Sequence, residues 1–156
     1  MTNKDILQNI MNRLNLSDSS FTERIISQKT VYLLQEVGIG TNYLFNWNHY
    51  GVYSKELSNY MFSTFPEQIV TSSPPDKKIE KAVAAFITFA GENMRNPLFL
   101  ELASSALYLI RINPFLKKEE LFDEIIKLKP HLNNREQFEI LFEKITSLIS
   151  GAQVLS

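Results

Sequence analysis

Residues 98–110 read "LFLELASSALYLI", the most apolar stretch of the 156-residue chain. Its apolar side chains occupy almost every position, so a helix formed here would be apolar nearly all round. Such a helix is stable only when other elements surround it, and the stretch therefore predicts a central helix of the fold. Asn96-Pro97 marks the start of this helix and Asn113-Pro114 its end. The stretch is too short and too interrupted by polar residues to span a bilayer.

Amphipathic patterns with helical spacing flank the central segment on both sides. They predict helices at 3–14, 21–37, 54–62 and 76–90 before it, and at about 121–128 after it. A last helix follows Asn133, which has capping-box spacing to Glu136. Gly38 and Gly40 end the second helix, because glycine readily adopts the left-handed conformation at a helix end. The sequence therefore predicts one mostly α-helical domain of about seven helices over residues 1–156.

The composition excludes several classes of protein. Hydrophobic residues make up 44% of the chain, charged residues 21%, and the formal net charge is -1. That charge disfavours an extended basic surface for nucleic acid or an anionic membrane. The absence of cysteine excludes disulfides, thiolate catalysis and cysteine-ligated zinc. The first residues, MTNKDILQN, are not typical of a secretory signal, so a cytoplasmic location without membrane association is predicted.

Residues 45–57, "FNWNHYGVYSKEL", are unusually rich in aromatic side chains. The alternation of Tyr43, Phe45 and Trp47 with other residues predicts a short extended, hairpin-like segment over 43–49. Gly51 then indicates a turn, and Ser54 a cap of the following helix. Phe45 and Trp47 are expected to pack in the core, since large aromatic side chains are highly buried on average. Whether the stretch as a whole belongs to the core or to an interface is left open.

Candidate catalytic groups are few, because the chain has only two histidines. His131 lies near a predicted helix end, where a cationic residue suits the negative end of the helix dipole. His49 can be grouped with Ser54 and Glu56, but a triad is defined by geometry and not by proximity in sequence. Metal-binding spacings are also missing from the sequence. We therefore predict a non-enzyme with no catalytic residue, no metal site and no cofactor.

The segment 29–57 resembles the opening of the YwgA-like proteins and, more remotely, the Panacea (SocA-like) antitoxin proteins. In that pattern a lysine-bearing helix with "YLLQ" precedes an aromatic "Y-x-F-x-W" stretch and a "YGPYS-x-x-L" element. The likeness extends, less specifically, over most of residues 25–149, and Val52 stands where the family has proline. The matching positions are Lys29, Tyr32, Leu33, Leu34, Gln35, Tyr43, Phe45, Trp47, Tyr50, Gly51, Tyr53, Ser54 and Leu57.

The resemblance implies a small helical protein linked to mobile elements, toxin neutralisation or phage defence. Its expected role is to bind another protein, such as a toxin or a defence effector, and a homo-oligomer is left open. The alternative is a degenerate winged-helix regulator that binds nucleic acid, which the near-neutral charge disfavours. The six motif positions expected to be structural are Lys29, Tyr32, Gln35, Tyr43, Phe45 and Trp47. The predicted partner-binding residues are Tyr50, Gly51, Tyr53, Ser54 and Leu57.

Overall fold

A computed structural model describes residues 2–48, 51–64 and 76–155. Within these ranges the chain forms seven α-helices and one two-stranded antiparallel hairpin, so the predicted mostly α-helical class is confirmed. The elements are α1 (Asn3–Leu14), α2 (Phe21–Glu36), β1 (Asn46–Asn48), β2 (Gly51–Tyr53), α3 (Lys55–Thr64), α4 (Lys77–Ala90), α5 (Pro97–Ile112), α6 (Lys118–Leu128) and α7 (Arg135–Leu155).

Helix α5 lies at the centre of the fold, as its all-round apolarity predicts. It packs against α2, α6, α7 and β2, and Leu100 and Leu102 are fully buried within it. Its first turn is capped by Asn96, whose side-chain oxygen accepts hydrogen bonds from the amides of Leu98 and Phe99 at 3.1 and 3.4 Å. Across the described ranges, no helix combines the length and the apolarity needed to cross a membrane.

The start of α7 differs by one residue from the prediction. Asn134, not Asn133, caps this helix, since its side-chain oxygen accepts a hydrogen bond from the Gln137 amide at 3.0 Å. Asn133 instead caps the C-terminal end of the 3₁₀ turn Pro130–Leu132, where its amide donates to the Pro130 carbonyl at 3.2 Å. The capping-box prediction at Asn133 is therefore wrong.

The aromatic stretch forms the hairpin, in which Trp47 pairs with Val52 and Asn48 with Gly51. The regular strand is shorter than the predicted segment and begins only at Asn46. Phe45 lies just before it and is buried with its ring centre 5.1 Å from that of Tyr32, so its predicted place in the core is confirmed. Two residues of the stretch, 49 and 50, lie outside the described residues.

Candidate functional site

Lys29 is a charged side chain enclosed by the fold. It lies in the middle of α2, is only 1% exposed, and its Nζ donates a hydrogen bond to the Val52 carbonyl at 2.5 Å. Gly51 lies in the hairpin beside Lys29. Its φ of 84° is one that side-chain-bearing residues rarely adopt, and a Cβ there would lie 3.5 Å from Lys29 Nζ and 3.7 Å from Glu101 Cγ. Because 3.5 and 3.7 Å are ordinary contact distances for a Cβ, the backbone conformation of the turn, and not a lack of space, favours glycine here.

Two glutamines of α2 hold the ends of the aromatic stretch. The amide side chain of Gln28 donates to the Ser54 carbonyl and accepts from the Ser54 amide, both at 2.9 Å. The side chain of Gln35 donates to the Tyr43 carbonyl at 2.9 Å and accepts from the Tyr43 amide at 3.1 Å. Seven residues separate the glutamines, about two helical turns, so both lie on the same side of α2.

A cluster of ionisable side chains surrounds Lys29. His131 Nε2 lies 2.8 and 3.1 Å from the two carboxylate oxygens of Glu101, which α5 contributes. Lys129 is buried, and its Nζ lies 5.7 Å from the centre of the Trp47 ring. His131 lies in the last turn of the 3₁₀ helix Pro130–Leu132, at a helix end as predicted, and its ring in addition contacts Glu101.

The proton affinity of Lys29 reflects this environment. Burial lowers the pKa of its ammonium group to about 8, because a charged group is poorly solvated inside the fold. The carboxylate of Glu101 acts in the opposite direction and raises the pKa, whereas the positive charge of Lys129 lowers it further. Lys29 is thus a buried cation that needs Glu101 to remain charged near neutral pH.

We expect the free energy of unfolding to rise by roughly 2 kcal/mol between about pH 7 and pH 9.5 because of Lys29. Its pKa is about 8 in the folded chain against an ordinary value of 10.5, so between these values the unfolded chain binds a proton that the folded chain does not. Urea unfolding at both pH values measures the difference. The Lys29→Met variant should not show this rise in the free energy of unfolding, and an equal rise in that variant would contradict the assignment of the effect to Lys29.

Above about pH 10 the buried tyrosines lower stability, since burial raises the pKa of Tyr43 to about 12.

A cavity of about 210 Å³ lies beside Lys29 and is here called the Arg24 cavity. Its polar lining comes from α2 through Arg24, Gln28 and Lys29, from the hairpin through Tyr53, and from α3 through Ser58. Among the described residues that line it, none is acidic. The cavity therefore offers hydrogen-bond donors and positive charge.

A second and larger concavity, of about 470 Å³, adjoins the first and is here called the His131 groove. Phe21 and Ile25 line both of them, so the N-terminal half of α2 separates the cavity from the groove. Glu101, His131 and Leu128 also line the groove. The ionisable cluster and an exposed apolar side chain thus meet on one concave surface.

The predicted partner-binding residues differ in how far they are exposed to solvent. Tyr53 is half-buried and lines the Arg24 cavity, whereas Gly51, Ser54 and Leu57 are buried. Ser54 is the helix cap, since its hydroxyl accepts a hydrogen bond from the Leu57 amide at 3.1 Å. Because residues this deeply buried expose almost no surface to a partner, the predicted surface is corrected at Gly51, Ser54 and Leu57. Tyr50 and His49 lie outside the described residues.

The sequence reasoning missed most of the ionisable cluster. Lys29 was expected to be structural, but Glu101 and Lys129 had no assigned role. A signal for Lys29 and Glu101 does exist in the sequence, since α2 and α5 each carry a single charged residue in their middle part. Two opposite charges placed in this way are expected to meet in the core, because an unpaired buried charge is costly.

Neither similarity to known proteins nor metal-binding geometry assigns a function to the ionisable cluster. In the part of the chain that the structure describes, no group of three histidine, aspartate or glutamate side chains could hold a metal ion. Comparisons with protein-family models, curated proteins and solved structures find no match to the chain. The resemblance to the YwgA-like proteins therefore stays a prediction.

Proposed function

We propose that the chain is a non-enzymatic protein-interaction module that acts by binding a partner protein, in the manner of antitoxin-like or defence-associated proteins. One observation carries the proposal. Phe21 and Leu128 are 51% and 43% exposed, and both line the His131 groove. Large apolar side chains exposed beside a concave surface are typical of sites where another molecule binds.

Tyr53 extends this surface on the other side of α2. It lines the Arg24 cavity together with Phe21, and a tyrosine offers a large contact area with few rotatable bonds. The adjoining helix α3 exposes Lys55, Glu56 and Asn59, which suits the polar rim of an interface. We call the set of Phe21, Tyr53 and Leu128 the Phe21 surface.

The contacts of the ionisable cluster favour binding over catalysis. Lys29 donates to a backbone carbonyl and Glu101 pairs with His131. These contacts join α2, β2, α5 and the turn Pro130–Leu132, so holding the elements together accounts for the charged groups without a reaction. The fixed elements in turn support the Phe21 surface, and a rigid surface loses less conformational entropy on binding.

We expect Phe21→Ala and Tyr53→Ala each to weaken partner capture by about 1–3 kcal/mol, the usual effect of truncating an interface residue. Phe115→Ala is the matched control, because Phe115 is 88% exposed and lies outside the Phe21 surface. The tagged chain and its variants are used to capture proteins from native cells, with quantitative mass spectrometry of what each retains. The affinity of the identified partner is then measured by calorimetry with purified components.

Thermal melts of the variants separate binding from packing. Phe21→Ala and Phe115→Ala should melt at nearly the temperature of the unaltered chain, because surface substitutions change stability little. The proposal fails if every enriched protein binds the Phe21→Ala variant as well as it binds the Phe115→Ala variant. Capture that nuclease treatment abolishes would instead support the nucleic-acid-binding regulator.

A further inference from the structure

The Arg24 cavity combines apolar side chains with two hydroxyl groups. Phe21, Ile25 and Met61 form its apolar lining. Tyr53 and Ser58 are half-buried and bring hydroxyl groups to the cavity, and neither hydroxyl has a hydrogen-bond partner among the residues that the structure describes. A concave space with apolar walls and a few polar groups is typical of a binding site.

The volume of the cavity, about 210 Å³, limits the size of the group that can enter it. An engineered cavity of roughly 150 Å³ in another protein holds benzene. The Arg24 cavity therefore accommodates one six-membered ring with a small substituent.

The lining favours an aromatic ring over a saturated one. A second aromatic ring can pair with Phe21, and a ring edge can contact the sulfur of Met61, and both kinds of contact are worth more than the burial of area alone. Arg24 and Lys29 add to this preference, because the face of an aromatic ring is electron-rich and attracts a cation.

The two cations of the lining do not require an anionic ligand. Lys29 donates to the Val52 carbonyl at 2.5 Å and has Glu101 as its counter-charge. Arg24 donates to the Asp18 carbonyl at 3.3 Å. A neutral ligand leaves these contacts in place. The group that suits the cavity is therefore an uncharged aromatic ring with one hydroxyl.

We propose that the Arg24 cavity is a binding site for a phenolic ring. The ring packs against Phe21, Ile25 and Met61, and its hydroxyl forms hydrogen bonds with the hydroxyl groups of Tyr53 and Ser58. A free phenol and a tyrosine side chain of another protein present the same chemistry to the site. The proposal holds for either source and does not depend on the function proposed above.

Binding of phenol to the full chain, followed by NMR of the methionine methyl groups, tests the site. The chain has four methionines, and Met61 lines the cavity whereas Met11 and Met94 are absent from its described lining. Phenol should shift the Met61 methyl signal with a Kd on the order of 1 mM or below, and the signals of Met11 and Met94 should stay in place. Equal shifts of all three signals, or a Met61 signal that does not move, would overturn the proposal.

A second ligand tests the preference for an aromatic ring. Cyclohexanol keeps the hydroxyl and the ring size of phenol but lacks the aromatic ring. It should bind about threefold more weakly or worse, which is the scale of one favourable aromatic contact. Equal affinities for phenol and cyclohexanol would contradict the assignment of the cavity to a phenolic ring.

Variants test the two hydroxyl groups. The double variant Tyr53→Phe, Ser58→Ala keeps the ring of Tyr53 and should weaken phenol binding about fivefold, the usual scale for a lost neutral hydrogen bond, with the Kd of toluene unchanged. Tyr108→Phe is the matched control, because Tyr108 contacts Trp47 and is absent from the described lining. The melting temperature of each variant confirms that it is folded. If the double variant binds phenol as tightly as the control does, the proposed site is wrong.

A peptide distinguishes the two sources of the ring. A short peptide with a central tyrosine is compared with phenol and with the same peptide carrying alanine in place of the tyrosine. Tighter binding of the tyrosine peptide than of phenol assigns the site to a side chain of another protein, and tighter binding of phenol assigns it to a free phenol. Failure of both ligands to shift the Met61 signal overturns the phenolic site, whereas capture at the Phe21 surface is decided separately by the Phe21→Ala variant.

Discussion

Replacing Glu101 with alanine is expected to lower the free energy of unfolding by about 3 kcal/mol near pH 7, the scale for a buried ion pair that has lost one partner. Glu101 is the carboxylate that raises the pKa of the buried Lys29, and its own side chain is 15% exposed. Without it, Lys29 must either keep an uncompensated charge or release its proton. Proton release limits the cost, which places the loss at the lower end of the range for buried pairs.

The loss should therefore depend on pH. Near pH 9.5 most of the folded chain already has a neutral Lys29, whose pKa is about 8, and the Glu101→Ala variant should lose less than half as much as near pH 7. Glu80→Ala is the matched control. Glu80 pairs with Arg13 on the surface at 2.7 Å, so its loss should be below about 1 kcal/mol and the same at both pH values. Equal losses for Glu101→Ala at both pH values would contradict the role of Glu101 as counter-charge.

Leu102→Ala is expected to cost about 2–5 kcal/mol, because it leaves a cavity in the centre of the fold. Leu102 is fully buried in α5, the helix that packs against α2, α6, α7 and β2. Ile112→Ala is a control in the same helix, since Ile112 is 66% exposed and its truncation removes little packing. Urea unfolding measures both. A Leu102→Ala variant as stable as Ile112→Ala would show that α5 is not central.

The helices could be predicted from the sequence because their signals are local. The all-round apolarity of α5 and the cap at Asn96 each depend on neighbouring residues, and both predictions are confirmed. The cap of α7 was missed, because the 3₁₀ turn that takes up Asn133 is too short to produce a periodic pattern.

The candidate site could not be predicted in the same way, because it depends on contacts between distant parts of the chain. Glu101 and His131 are 30 residues apart, and Lys29 and Val52 are 23 residues apart. The partner surface was misplaced for a related reason. Gly51 and Ser54 belong to a conspicuous motif, but Gly51 is explained by the positive φ of the turn and Ser54 by its backbone hydrogen bonds to Gln28.

Gln28 and Gln35 of α2 affect how the hairpin unfolds. A two-stranded hairpin by itself is only marginally stable in water, and each strand here has three residues. Gln28 and Gln35, however, fasten Ser54 and Tyr43 to α2, Gln28 within its buried part and Gln35 near its C-terminal end. Detachment of the hairpin therefore breaks the buried hydrogen bonds of Gln28 and the partly buried hydrogen bonds of Gln35. We therefore expect the hairpin to open together with α2 and not independently of it.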